Sequence, residues 1–297
     1  MLSILIPTYN YDCSRLIRDI QAQAEQAGID YEIIVADDAS PIYIYKEKNR
    51  EINTLPHCRL IELGENIGRA RIRNRLADEA RHPWLLFIDC DAEVIDDHFI
   101  ANYISQLQAD VVCGGLCHAD TLPSPEVSLR YTYEKRADKR RAACYREKEP
   151  YERFTPFNFV IRREIFQSIR FDERITEYGH EDTLFGIALK ERAVSIHHID
   201  NPLRHMGLEC NDRFLEKTRK ALYNLANMES TMQGHSSLLR LYGLLFRLNM
   251  ANRVATWFDK HEQELTEQLT GTTPRLTNFF LYKLGYYCTI KRQMEQE

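Results

Sequence analysis

Short apolar runs alternate with amphipathic stretches through the first hundred residues. Ser3–Pro7 is an apolar run of strand length, and Ser14–Ala27 carries Leu16, Ile17, Ile20, Ala24 and Ala27 at helical spacing. Tyr31–Ala36 predicts a second strand, closed by Asp37-Asp38-Ala39-Ser40, and Arg59–Leu63 a third. An Asn66/Gly68 turn precedes a helix predicted over Arg69–Ala80. Trp84–Ile88 is a wholly apolar fourth strand that runs directly into Asp89-Cys90-Asp91. Strands apolar on both faces, with helices between them, predict an α/β fold with a mostly parallel sheet covered on both sides. Ligands of such sheets sit at the carboxyl ends of the strands. Two of these strands end there in paired carboxylates.

The pattern changes after Val111–Gly115, a fifth predicted strand. Residues 130–153 hold nine Lys/Arg and five Asp/Glu, which predicts an exposed helix or a mobile loop with few core positions. Phe157–Ile161 restores strand character and Asp182–Leu189 begins another helix. From Asn211 onward the chain reads as helical, with Leu238, Leu241, Leu244, Leu245 and Leu248 as an apolar stripe. The expected division is therefore an α/β domain over 1–210 and a C-terminal helical extension over 211–297.

Composition narrows the function classes. At 297 residues and a formal charge of −5, the chain has the size for a substantial core and lacks the basic excess of a nucleic-acid binder. There is no apolar run of transmembrane length. Met1-Leu2-Ser3-Ile4-Leu5-Ile6-Pro7 lacks the basic region and cleavage site of a signal peptide. The eight cysteines, none in a C-x-x-C, read as reduced thiols. A cytoplasmic protein is expected.

An Asp-x-Asp is weak evidence alone, because 18 aspartates in this length yield about one chance match. Its position after an apolar strand is what raises it. Carboxylates there can present oxygen ligands to a hard cation, Mn²⁺ or Mg²⁺. Glu181-Asp182, after Gly179-His180, is a second acidic pair at a predicted helix start, where the helix dipole favours carboxylates even without any chemistry.

These segments occur together and in order. Ser3-Ile4-Leu5-Ile6-Pro7-Thr8-Tyr9-Asn10, Glu32 through Ser40, Asn66-Ile67-Gly68 with Arg73-Asn74, Asp89-Cys90-Asp91 and Gly179-His180-Glu181-Asp182 resemble the family 2 glycosyltransferases over about two thirds of the chain. The resemblance implies a GT-A fold (Rossmann-like, with helices on both faces of the sheet), a nucleotide-sugar donor and inversion at the anomeric carbon. It implies that Pro7 and Tyr9 border the nucleobase, that Asp38 accepts a base N–H and that Asp89 contacts ribose or sugar. Among Arg69, Arg71 and Arg73, Arg73 is the one expected near the diphosphate. It further implies Asp91 as metal ligand, Asp182 as general base and Glu181 as an acceptor or sugar contact. His205 is expected as the further metal ligand, with His197 and His198 as competitors. UDP is the expected carrier, and the acceptor a glycan or lipid-linked glycan of surface polysaccharide synthesis.

Two other classes stay open at this point. A nucleotidyltransferase would carry a Gly-rich basic loop after the first strand, and Pro7-Thr8-Tyr9-Asn10-Tyr11-Asp12 is neither. A non-catalytic sugar or nucleotide-binding module is the other, against which both acidic pairs speak. Cys113, Cys117 and His118 do not make a zinc motif, because no second thiol pair accompanies them. Gln167-Ser168-Ile169-Arg170-Phe171 reads as helix and turn. Between Leu238 and Arg292 eight basic residues face four acidic ones. That excess, with the leucines and a cluster of Phe and Tyr, predicts either a helical subdomain packing its stripe on the α/β core or a peripheral contact with anionic membrane.

Overall fold

The computed structural model describes residues 1–175 and 179–296, which form two compact units. The first comprises Met1–His118, Asp138–Thr176 and Glu181–Gly207; the second comprises Ala119–Ala137, Glu177–His180 and Leu208–Glu297.

In chain order the elements begin β1 (Leu2–Thr8), α1 (Ser14–Gln26), β2 (Tyr31–Asp37), α2 (Tyr43–Arg50), β3 (Cys58–Glu62), α3 (Arg69–Glu79) and β4 (Trp84–Ile88). They continue β5 (Ala92–Glu93), α4 (Phe99–Ile104), β6 (Val111–Cys113), β7 (Leu116–Cys117), α5 (Ser128–Lys135), α6 (Ala143–Arg146) and β8 (Asn158–Arg162). Then follow α7 (Arg163–Ile169), α8 (Glu181–Glu191), β9 (Ile196–His198), β10 (Leu203–His205) and α9 (Asn211–Asn227). The last are α10 (Glu229–Met232), α11 (Ser237–Arg247), α12 (Ala251–Thr270) and α13 (Leu276–Met294).

The first unit is a seven-stranded sheet in the order β3-β2-β1-β4-β8-β6-β9. Its strands pair parallel except β8, which is antiparallel to both β4 and β6. Successive strand residues point to opposite faces, so β1 sends Leu2, Ile4 and Ile6 into one core and Leu5 into the other. The first core closes under Leu16, Ile17, Ile20 and Ala24 of α1 and Phe99 and Tyr103 of α4. The second closes under Ala70, Ile72, Leu76 and Ala77 of α3, Phe166 of α7, and Phe185 and Leu189 of α8. Both faces are covered, as the apolar runs of β1, β2 and β4 require. The Gln167–Phe171 segment is the end of α7 and a turn at Arg170 (φ 51°).

A second, three-stranded sheet pairs β10 antiparallel to β5 and parallel to β7. Its register sets His205 opposite Ala92 and Arg204 opposite Cys117. Residues far apart in sequence thereby meet beside Asp89-Cys90-Asp91.

The charged segment 130–153 is exposed or half-buried, as its composition predicts, except at Tyr131 and Arg146. Arg146, at the end of α6, is 4% exposed, and its guanidinium donates to the carbonyls of Cys113, Gly114 and Ile199. A buried guanidinium is tolerated because its donors are satisfied.

The second unit is helical, with a core of Leu129, Phe214, Leu215, Phe258, Leu265, Leu269, Phe279 and Tyr282. The apolar stripe of α11 is turned opposite to a packing stripe. Leu239 and Tyr242 are buried, while Leu241, Leu244 and Leu248 are exposed. Helix α11 is apolar on two sides, so periodicity alone did not select the inward one.

Candidate active site

The site residues collect at the carboxyl edge of β1, β2 and β4, where strand ends leave backbone and side-chain polar groups uncovered. Tyr9 follows β1 and is half exposed. Asn10 has φ 51° and its amide donates to Ser40 Oγ at 2.7 Å, which ties the β1 end to the β2 end. Ser40 is in turn held by Asp37 through its amide at 3.1 Å and its hydroxyl.

Asp38 is buried. Its carboxylate accepts the amides of Ile67 at 2.7 Å and Gly68 at 3.0 Å, and its carbonyl accepts from the Asn66 side chain at 3.0 Å. It thus fixes the turn that starts α3, satisfying amides that a helix start leaves orphaned. Burial pushes its pKa up; the two amide hydrogen bonds pull it down, and the neighbouring Asp37 charge adds to the rise.

Helix α3 then reaches three further acids. Arg73 is 2% exposed, donates from Nη2 to Asp89 Oδ1 at 2.5 Å and lies 5.6 Å from the centre of the Phe171 ring. It was expected beside a diphosphate; here it is the buried partner that orients Asp89. Its Nε is buried without a hydrogen-bond partner. One turn earlier, Arg69 keeps a half-exposed side chain whose Nη1 lies 3.6 Å from Glu181 Oε1. Arg71 faces Glu173 at 3.8 Å, both half exposed. Arg69 is thus the arginine of the three next to an acidic-pair residue, which sequence spacing did not single out.

Asp91 Oδ2 lies 3.2 Å from His205 Nε2. The β5–β10 pairing brings them together, reinforced by the Met206 amide on the Asp91 carbonyl at 2.8 Å. Gly207 is required here: a Cβ at that position would sit 1.9 Å from Asp91 Oδ2. His205 is 7% exposed, edge-on to Phe157 at 5.4 Å and to His118 at 5.7 Å between ring centres. His118, on the residue after β7, holds Asp138 Oδ1 at 2.8 Å. In the sequence His118 stood only in a discounted zinc motif, because its place beside His205 depends on the β7–β10 register. Tyr11 is a further residue that the sequence did not single out. Its hydroxyl pKa is pushed up to about 12, by burial first and then by the Asp91 charge.

The competing histidines have other partners. Both lie on β9, the edge strand of the large sheet. His197 is half exposed and pairs with Glu147 at 2.7 Å. His198 is buried, faces Arg146 Nη1 through Nδ1 at 2.6 Å and donates from Nε2 to the Pro150 carbonyl at 2.9 Å. Burial chiefly, with Arg146, holds its pKa below the usual value.

Glu181 and Asp182 open α8 after Gly179 (φ 105°) and His180 (φ 73°), a pair of left-handed residues that turns the chain into the helix. Glu181 is 7% exposed. Asp182 Oδ1 accepts the Thr183 amide at 2.7 Å. The structure therefore joins Asp38, Asp89 and Glu181 through α3, and Asp91 to His205 through the small sheet.

The family model for glycosyl transferase family 2 matches residues 3–170. No curated protein matches the chain significantly in sequence. Among solved structures, it resembles the mannosyltransferase PcManGT from Pyrobaculum calidifontis, solved with GDP-Man and Mn²⁺, at TM-score 0.58 and 14% identity, covering 98% of this chain and 86% of that one. It also resembles S. aureus TarS 1–349 at TM-score 0.50 and 16% identity, covering 99% and 91% of the two chains. The same TarS fragment with UDP-GlcNAc aligns at TM-score 0.51, with 16% identity and the same coverage. With the matched segment spanning more than half of its length, and with this sheet and helical arrangement, the chain belongs to glycosyl transferase family 2 and has the GT-A glycosyltransferase fold.

Proposed function

We propose that this protein transfers a sugar, with inversion, from a nucleotide-diphosphate donor to a glycan or lipid-linked acceptor, with a divalent cation held by Asp91 and His205. The observation that carries the reading is the 3.2 Å separation of Asp91 Oδ2 and His205 Nε2. Adjacent ligands of a six-coordinate cation, each about 2.1 Å from it, stand about 3 Å apart, so this pair fits such an ion. A carboxylate oxygen with an imidazole nitrogen suits Mn²⁺ better than Mg²⁺, which favours an all-oxygen set. Bound there, the ion would neutralise charge on the departing diphosphate.

The remaining roles belong to side chains. Tyr9 and Pro7 border the β1 end, where a half-exposed ring offers a stacking surface to a nucleobase. Asp38 keeps lone pairs beyond the two amides it accepts, available to a base N–H; uracil fits, which makes a UDP-sugar the first donor to test. Asp89, oriented by Arg73, is available to ribose or sugar hydroxyls. Arg69, beside Glu181, is the flexible cation nearest the acidic pair and a better candidate than buried Arg73 for contact with donor phosphate. Asp182 takes the acceptor's proton as its oxygen attacks the anomeric carbon, and the donor's diphosphate leaves with the bond electrons. Glu181 orients acceptor or sugar hydroxyls. Asp182 is partly exposed at the start of α8, where an acceptor arriving from solvent can meet its carboxylate.

The deciding experiment is a panel of UDP-, GDP- and dTDP-sugars, each assayed for hydrolysis and transfer with Mn²⁺ and with chelator. Metal-dependent turnover of one of them supports the reading. Synthesis of a nucleotide sugar from a sugar phosphate and a nucleoside triphosphate would instead make the protein a nucleotidyltransferase.

A further inference from the structure

Among the described residues of the second unit, exposed apolar side chains are densest in one place, with Tyr223, Trp257, Phe280 and Leu281 exposed elsewhere. Leu241, Leu244, Phe246, Leu248 and Met250 are 40–57% exposed, all on α11 and its turn into α12. Isolated exposed leucines need no explanation, whereas a contiguous group does. At about 100° per residue, Leu241, Leu244 and Leu248 form one outward ridge, opposite buried Leu239 and Tyr242. The corner that presents them is rigid. Asn249 has φ 54°, its amide donates to the Phe246 carbonyl at 3.0 Å, and the Met250 amide donates to the Leu245 carbonyl at 2.8 Å. That double bond pattern is a Schellman motif, which fixes Leu248 and Met250 beyond the helix end.

Charge around the ridge has one sign. From Ser230 to Phe258 there is no Asp or Glu, and Arg240, Arg247 and Arg253 are exposed with no ion pair among the described residues. Elsewhere in the protein, which carries a net charge of −5, exposed arginines commonly find a carboxylate, as Arg18 does with Glu51 and Arg50 with Glu62. Arg240 and Arg247 flank the leucine ridge on one side of the helix. Among the described residues no helix is long and apolar enough to cross a membrane. The features here are those of a helix lying in an interface: apolar ridge down, guanidinium groups at headgroup level.

We propose that the α11–α12 corner docks on an anionic lipid surface, with Leu241, Leu244, Leu248 and Met250 entering the acyl boundary and Arg240, Arg247 and Arg253 meeting phosphate headgroups. A second copy of the chain is the poorer occupant. A two-fold contact sets a patch against itself, which would oppose arginine to arginine with no acid in this segment to compensate. Anionic lipid supplies both what the leucines lack and what the arginines lack.

The test needs no donor, so its outcome is independent of the transferase reading. Intact protein is floated with vesicles of phosphatidylglycerol and phosphatidylcholine, and with phosphatidylcholine alone, at low and high salt. Binding is expected to the anionic vesicles only, and to weaken with salt. Arg240→Glu/Arg247→Glu/Arg253→Glu is expected to lower partitioning by roughly 10²-fold, at about a factor of five per lost basic residue. Leu244→Ser/Leu248→Ser is expected to lower it at unchanged melting temperature and circular dichroism. Three results would each overturn the proposal. They are no flotation at low salt, equal binding to both vesicle types, and conversion of a dimer to monomer by the leucine variant in analytical ultracentrifugation.

Discussion

In the sheet unit Leu5, Phe87 and Ile88 have no solvent exposure, whereas in the helical unit Leu244 is 53% and Leu248 57% exposed. The polar groups differ in the same direction. At the sheet's carboxyl edge Asp38 is held by two amides, Asp89 by Arg73 and Asp91 by His205. On α11 Arg240 and Arg247 face solvent with no ion pair among the described residues. A strand carries side chains to two faces, and helices cover both, so the sheet unit completes its own core. A helix apolar on two sides can turn only one of them to a neighbour. The first unit buries the leucines and isoleucines of its central strands; the second leaves a ridge of leucines exposed.

The contrast can be broken by substitution. The largest effect belongs to Asp182→Asn, expected to lower the transfer rate by ~10²–10⁴-fold while donor affinity stays within a factor of a few. Single-turnover kinetics with calorimetric donor binding reads both. Collapse of donor affinity would make Asp182 a binding or helix-capping residue instead. Phe87→Ala comes next. It empties a space between Phe159 and Phe166, whose rings are each 5.0 Å away, and is expected to cost ~3–5 kcal/mol in chemical denaturation.

Arg73→Met is expected to cost about 2 kcal/mol, the scale of a hydrogen bond to a charged partner, and to raise KM for donor more than it lowers kcat, because Asp89 loses its orientation. An unchanged KM would detach Asp89 from the donor. The smallest effect is Leu244→Ala in solution, expected within ~0.5 kcal/mol of the parent. A cost like that of Phe87→Ala would mean that α11 packs inward and that the two units are built alike.

Much of the sheet unit was legible because its signal is local. The apolar runs at Ser3–Pro7, Tyr31–Ala36 and Trp84–Ile88 sit within β1, β2 and β4, and the spacing from Leu16 to Ala24 marks the buried face of α1. Helix α2 was not legible: Tyr43 and Ile44 are exposed and only Asn49 is buried, so no apolar stripe announces it. Nor were β5, β7 and β10, two or three residues each, whose existence depends on pairing between segments distant in sequence, such as His205 with Ala92 and Leu203 with Leu116. The site divides along the same line. Asp38, Asp89 and Asp91 stand at ends of strands the pattern reveals, and inside the family match, whereas Glu181, Asp182 and His205 lie beyond residue 170. That Arg73 is the buried arginine and Arg69 the half-exposed one was hidden for a further reason. One turn of α3 separates a buried arginine from a half-exposed one, and helical phase, not residue type, decides which is which.

The most direct test of the central claim is calorimetric titration of Mn²⁺ into the protein with UDP, paired with turnover of the responding nucleotide sugar, for the parent, Asp91→Ala and His205→Ala. The expected result is metal-dependent turnover in the parent and loss on the order of 10³-fold in Asp91→Ala, with its melting temperature nearly unchanged. For His205→Ala, clearly weakened Mn²⁺ affinity is expected. Full turnover by Asp91→Ala in the presence of chelator would contradict the account.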